Sequence, residues 1–325
     1  MFNPGITPVA LGHYPTPLYE LERLGKLLGG PRLFVKRDDL TGLALGGNKT
    51  RKLGYLIADA LQQKADTLLT MGAPQSNHAR QTAAAAARYG LRAVLVLAQR
   101  APAQINGNLL LDNLLGARIC WAGDRDPVQV LEEAAAEETA AGRKPYIIPY
   151  GGSNALGASA YAGAMEELVR QSLEQEVPID HIVLASSSGG TQAGLVTGAR
   201  ALNYTGRILG ISVDKSAAAL SDKVLNLAQV TAGLLGLRIL IHPEDVHVSD
   251  AYLGQGYGVL GEAEREAVRL VARTEGLLLD PVYTGRAMAG LIDLIKQGEF
   301  NKRDTVLFWH TGGTPALFAY AEGLR

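Results

Sequence analysis

The sequence predicts an α/β protein with mostly parallel sheets, and three observations carry that prediction. Short apolar runs alternate with longer helix-forming stretches almost from end to end, the pattern of strand–helix–strand crossover units. Runs such as Ala93-Val-Leu-Val-Leu97 are apolar at every position, as strands covered on both faces are. Clusters of Gly, Ser, Thr, Asn and Lys stand directly after such runs, where open α/β sheets bind their ligands.

Taken in order, strands are expected at Leu33–Lys36, Thr67–Thr70, Ala93–Leu97, Arg118–Trp121, Tyr146–Ile148, His181–Ala185, Arg207–Val213 and Thr305–His310. Helices are expected at Arg51–Gln63, Asn77–Tyr89, Val128–Ala141, Gly157–Gln175 and Glu262–Glu275, which are rich in Ala, Leu, Glu and Lys. At roughly 150 residues per domain, 325 residues suggest two domains. No Pro/Gly/Ser linker parts two halves, so the domains are expected to share chain segments. Hydrophobic residues at 47% supply core material, and 38 Gly spread without period exclude a collagen-like chain. With 31 basic against 32 acidic residues, there is no electrostatic case for a nucleic acid or acidic membrane partner. One Cys allows no intrachain disulfide, residues 1–30 lack a basic-then-apolar leader, and no long apolar run suggests a membrane span. A soluble, cytoplasmic protein is expected.

Four clusters are candidates for chemistry. In Gly46-Gly47-Asn48-Lys49-Thr50-Arg51-Lys52, two glycines permit a tight turn and close ligand approach. Its lysine reads as a phosphate clamp, a Schiff-base nucleophile or an ordinary surface charge. Asn48 separates Gly47 from Lys49, which breaks the Gly-Lys-Ser/Thr succession of a P-loop. In Gln75-Ser76-Asn77-His78, Ser76 or Asn77 suits a helix N-cap, and the other suits a ligand at the helix terminus. Nothing nearby orients His78 as the base of a serine hydrolase. Ser186-Ser187-Ser188-Gly189-Gly190-Thr191 opens a helix after an apolar strand; its amides, hydroxyls and helix dipole favour a phosphate over a simple capped turn. The last cluster joins Asp280-Pro281-Val282-Tyr283-Thr284-Gly285-Arg286 with His310-Thr311-Gly312-Gly313. Other candidates are weaker. Asp38 and Asp39 point apart in extended chain and are expected to pair with Lys36 or Arg37. Six scattered His give no zinc pattern, so no metal is expected. Cys120 reads as a small buried hydrophobe.

Together these segments resemble the pyridoxal-phosphate enzymes related to 1-aminocyclopropane-1-carboxylate deaminase and D-cysteine desulfhydrase. The likeness spans essentially the whole chain. It implies the tryptophan-synthase-β-like fold (fold type II): two three-layer α/β domains, the cofactor pyridoxal 5'-phosphate between them, and a homodimer. The larger domain is expected to comprise residues 1–50 and 160–325, and the smaller 51–159. By the same resemblance, Lys49 carries the cofactor as an imine, Lys52 lies near its phosphate and Asn77 meets the pyridine hydroxyl. Ser188, Gly189, Gly190 and Thr191 cradle the phosphate, and Thr311 joins the cofactor contacts. Ser76, Asn77, His78, Tyr283 and Thr284 face the substrate, with Lys49, Ser76 and Tyr283 as the catalytic group.

Deaminases of this family carry Glu after the tyrosine and Leu in the later His-x-Gly-Gly segment, where this chain has Thr284 and Thr311. That points to the desulfhydrase branch. The implied reaction is α,β-elimination from a small sulfur amino acid, D-cysteine first. The alternatives are an L-cysteate sulfo-lyase using His78 or Arg286 on the sulfonate, the deaminase itself, and a non-catalytic ligand-binding protein of the same fold.

Overall fold

The computed structural model describes residues 2–325. Short strand β1 (Leu18–Glu20) and helix α1 (Glu22–Leu28) precede β2 (Arg32–Arg37), and a 3-10 turn at Asp38–Leu40 leads on to α2 (Lys49–Gln62). Regular alternation follows: β3 (Thr67–Gly72), α3 (Asn77–Arg88), β4 (Arg92–Leu97), α4 (Gly107–Leu114), β5 (Arg118–Trp121), α5 (Pro127–Ala140) and β6 (Pro145–Ile147). After α6 (Ala155–Glu174) come β7 (His181–Ser186), α7 (Gly190–Ala201), β8 (Arg207–Ser212), α8 (Ala217–Leu234) and β9 (His247–Ser249). Helices α9 (Glu262–Glu275) and α10 (Thr284–Gln297) lead to β10 (Thr305–His310).

Helix starts follow local chemistry. Ser76, Asp126, Asn154 and Ser216 each accept a backbone N–H of the helix they open, satisfying donors that lack an intrahelical partner. Helices α9 and α10 end on Gly276 and Gly298 in the left-handed conformation.

Two sheets result. The larger runs β1-β2-β10-β7-β8-β9, with only β1 antiparallel, and the smaller runs β5-β4-β3-β6, all parallel. Strand alternation divides the larger sheet between two cores: Leu307 and Trp309 pack toward α6, α7 and α8, while Val306 and Phe308 pack toward α1, α9 and α10. The smaller sheet is covered by α2 and α3 on one face and α5 on the other. All eight expected strands form, with ends within two residues of expectation. Strands β1 and β9, three residues each, are not among those expected. Cys120 is half-buried, since β5 is an edge strand.

Asp38 departs from expectation. It lies in the turn after β2, fully buried, and pairs with Arg51 at 2.9 Å, not with Lys36 or Arg37. Arg37 pairs with Asp39, as expected, and Lys36 with Glu167 at 2.5 Å. Arg51 also reaches Glu167. Tyr161 OH and Trp309 Nε1 donate to Asp38 Oδ2 at 2.5 and 2.9 Å. This network joins β2, α2, α6 and β10 directly beneath the Lys49 turn. Among the described residues no helix is long and apolar enough to cross a membrane.

Candidate active site

Chain order breaks where β10 stands between β2 and β7 in the larger sheet and where β6 stands beside β3 in the smaller. At such switch points the outgoing loops part and leave a crevice at the strands' carboxyl ends. One cavity opens between the two crevices. Ser76–His78 and Tyr150–Gly151 line it from the smaller sheet, and Ala185–Gly189, Thr191 and Thr311–Gly312 from the larger; Asn48, Lys49 and Tyr283 complete the wall.

Lys49 is the first residue of α2, delivered by a turn in which Gly46 has φ +67° and Gly47 φ +128°. A Cβ on Gly46 would stand 1.9 Å from Asp39 O, so the turn admits no side chain there. Burial lowers the Lys49 ammonium to about 8. Lys52, one turn on, is fully buried and donates to Gly151 O (3.3 Å) and Ser153 Oγ (3.1 Å). Burial, then the charges of Lys49 and Lys223, push its ammonium well below the ordinary range. Two lysine amines thus stand at one cleft, Lys49 on its wall and Lys52 behind it, and among the described residues no carboxylate lines that cleft.

Ser76 Oγ accepts from Ala79 N at 3.1 Å, so of the two capping candidates Ser76 is the cap. Thr70 Oγ1 donates to Ile148 O, so His78 Nε2 must donate to Thr70 Oγ1 at 2.9 Å. His78 Nδ1 is left as a bare buried acceptor. Burial and the nearby lysines hold this imidazole well below its ordinary range, so it is neutral and supplies no positive charge. Tyr283 OH meets Tyr257 OH at 2.5 Å, and burial keeps the Tyr283 phenol protonated.

A family model described as pyridoxal-phosphate dependent enzyme matches residues 9–312. The chain belongs to that family. D-cysteine desulfhydrases of Salmonella typhi and Salmonella typhimurium are each 48% identical over 313 residues, covering 94% of this chain and 94% of theirs. A solved structure described as an ACC deaminase homologue superposes with a TM-score of 0.91 at 40% identity, covering 98% of this chain and 96% of that one. The fold is accordingly fold type II, and the cofactor of this pyridoxal-phosphate enzyme is pyridoxal 5'-phosphate.

The residues present fit that group. Ser153 Oγ gathers Lys52 Nζ, Ser188 Oγ (2.8 Å) and Gly190 N (3.2 Å) at one point. These are a lysine amine, a hydroxyl and a helix N-terminal amide, the donor set a phosphate takes. Ser186 Oγ is buried beside them without a partner. A Cβ on Gly190 would enter the same space, 2.5 Å from Ser153 Oγ and 2.9 Å from Lys52 Nζ. Gly190→Ala is therefore expected to weaken cofactor uptake by about tenfold, the scale of one lost charge-assisted hydrogen bond. Absorbance titration of both proteins checks this; equal affinities would refute the cradle.

The structure brings Lys49, Ser76, Asn77, His78, Ser188, Gly189, Thr191, Tyr283 and Thr311 to the cavity wall, with Lys52 and Gly190 joined just behind it through Ser153. Thr284 lies away from that wall. It is fully buried; its hydroxyl accepts from Asp280 N and donates to Asp280 Oδ1, each at 2.8 Å, and it does not line the cavity. Arg286 is likewise remote, bound to Glu264 and to the carbonyls of Val213, Gly256 and Val259. Sequence reasoning missed Ser153, although Gly151-Gly152-Ser153 follows a strand-like run as the other clusters do. Tyr257 sits in a loop that follows no such run, so no sequence signal marked it.

Proposed function

We propose that this enzyme catalyses α,β-elimination from D-cysteine, converting D-cysteine and water to pyruvate, hydrogen sulfide and ammonia. The observation that carries this reading is that, among the described residues, no carboxylate lines the cavity. When bound, pyridoxal phosphate withdraws electrons from the substrate Cα, more strongly when an acid keeps its ring nitrogen protonated. The one acid in the Tyr283 turn, Asp280, is occupied by the amides of Val282, Tyr283 and Thr284. A weaker electron sink suffices to expel hydrosulfide, a good leaving group, and does not suit opening a cyclopropane. The names of the desulfhydrase relatives point the same way. The sulfo-lyase reading loses both of its candidate cations, because His78 is neutral and Arg286 is bound elsewhere.

In this reading Lys49 Nζ holds the cofactor and handles the Cα proton, its lowered pKa keeping a useful neutral fraction near neutral pH. Lys52, Ser188, Gly189, Gly190 and Thr191 would hold the phosphate, and Asn77 and Thr311 would hold the ring, Asn77 through its amide N–H. Ser76 and the α3 N-terminus bind the substrate carboxylate, and the protonated Tyr283 phenol, backed by Tyr257, faces the departing sulfur. We further propose a cytoplasmic homodimer whose larger domain, residues 1–50 and 160–325, surrounds the six-stranded sheet, with 51–159 around the other.

The test is a panel of D-cysteine, L-cysteine, L-cysteate and the cyclopropane amino acid on cofactor-loaded enzyme. Pyruvate and sulfide from D-cysteine are expected at the highest kcat/KM. Sulfite from L-cysteate, or a four-carbon 2-oxo acid from the cyclopropane, at equal or higher efficiency would overturn the assignment. So would absence of turnover on all four.

A further inference from the structure

Arg80 lies in the first turn of α3, fully buried, and its guanidinium hydrogen bonds go to neutral oxygens. Its Nη1 donates to Asn77 Oδ1 (3.1 Å) and Asn108 Oδ1 (2.6 Å), and its Nη2 to Gly46 O (2.8 Å). Burial lowers it to about 10, opposed by the charges of Asp112 and Asp280. Asp112, on α4, is also fully buried, and neither of its oxygens has a hydrogen-bond partner among the described residues. Burying such a cation on neutral acceptors is costly, so what it holds matters.

It holds two things. The first is the direction of an amide. Asn77 Oδ1 accepts from Arg80 Nη1 and from Asn108 Nδ2 (2.9 Å), both behind the cavity wall. Rotating that amide would set its N–H group against two donors, so Nδ2 is the end left for the cavity that Asn77 lines. The second is the turn that delivers Lys49. The glycines of that turn carry no side chains to anchor it, and the Arg80 guanidinium grips the Gly46 carbonyl. Asn77 follows β3 in the smaller sheet, and Gly46 follows β2 in the larger. One side chain therefore spans both walls.

We propose that Arg80 is a positioning residue that turns the Asn77 amide nitrogen toward the cofactor ring and clamps the Gly46 turn so that Lys49 meets the cofactor aldehyde. The proposal rests on the Asn77 and Lys49 assignments above, and not on the identity of the substrate.

Cofactor-free protein is titrated with pyridoxal 5'-phosphate, following visible absorbance across pH, for wild type, Arg80→Lys, Asn77→Ala and the double variant. A lysine keeps the buried charge but cannot reach both oxygens. Arg80→Lys is expected to weaken cofactor binding by about 10- to 100-fold, the scale for groups that orient a direct ligand. It is also expected to move the pH midpoint of the bound absorbance band, which a merely structural residue would leave in place. Adding Asn77→Ala to Arg80→Lys should cost little further affinity, because the two act through one contact. Guanidinium ion should restore part of the affinity lost in Arg80→Ala. Unchanged affinity and midpoint in Arg80→Lys, or losses that multiply in the double variant, overturn the proposal. If neither Arg80 variant folds, Asn108→Ala takes the same cycle with Asn77→Ala, and fully multiplying losses there overturn it. Wild type that binds cofactor normally but ignores D-cysteine refutes the proposed substrate while the cycle still decides this inference; an Asn77→Ala variant with wild-type affinity overturns the inference itself.

Discussion

Lys49→Ala protein is expected to bind pyridoxal phosphate reversibly, without a covalent link, and to lose at least about 10⁴-fold in kcat, since one change removes both the nucleophile and the proton-handling amine. The expectation follows from placement. Lys49 stands at the first position of α2 on the cavity wall, and among the described residues no carboxylate lines that cavity. Lys52 is no substitute, because its amine is drawn back onto Gly151 O and Ser153 Oγ. The pH dependence has a definite sign. Burial lowers the Lys49 ammonium from its ordinary value to about 8, and only the neutral amine attacks an aldehyde, so covalent capture of cofactor by wild type should accelerate as pH rises through about 8. Pyruvate and sulfide assays, together with stopped-flow absorbance during cofactor uptake, measure both effects. Sustained multiple-turnover sulfide release by Lys49→Ala would sink the mechanism, and a capture rate flat from pH 7 to 9 would sink the assignment of the amine.

The largest stability effect is expected at Asp38. Removing one partner from a buried ionic cluster leaves an uncompensated charge and typically costs about 3–5 kcal/mol. Asp38→Ala would leave Arg51 and Lys36 sharing the single carboxylate of Glu167, and Tyr161 OH and Trp309 Nε1 without their acceptor. Although burial works against ionisation of both Asp38 and Glu167, Arg51 and their hydrogen bonds hold each carboxyl below the ordinary range. Carboxyls with depressed folded-state pKa values contribute stability above their unfolded values, roughly pH 4, and lose it as pH falls through the folded ones. Acid should therefore destabilise wild type more than Asp38→Ala. The site should suffer too, because the Asp38 carbonyl accepts Gly47 N at 3.0 Å just ahead of Lys49. Urea denaturation of the cofactor-free proteins at pH 7 and at roughly pH 2–3, below the ordinary carboxylate range, is the measurement; a loss below about 1 kcal/mol at pH 7 would show that the cluster is not a structural keystone.

Much of the site was legible in the sequence because ligand-binding loops of parallel sheets must be small and polar where strands end. The Gly46–Lys52, Gln75–His78 and Ser186–Thr191 segments announce themselves in that way. What escaped was direction. Asp38 and Asp39 read as an extended pair with local partners, but a 3-10 turn sends Asp38 inward to Arg51. Thr284 reads as a ligand-facing hydroxyl, yet the turn at Asp280 folds it back onto its own backbone and carboxylate. His78 reads as a possible cation, and burial makes it neutral. Each outcome depends on long-range packing, which local composition does not encode.

By itself, then, the chain's residue pattern determined the kinds of element, their order, and which loops were chemically equipped to meet a phosphate and an amine-reactive group. Tertiary structure decided that the C-terminal strand β10 inserts between β2 and β7, and that β6 returns beside β3. Those two pairings create facing crevices and bring residues as distant in sequence as Lys49 and Thr311 to one cavity. The physical reason is that strand neighbours are chosen by which apolar faces can be buried together across the whole chain, a condition no local window of sequence contains.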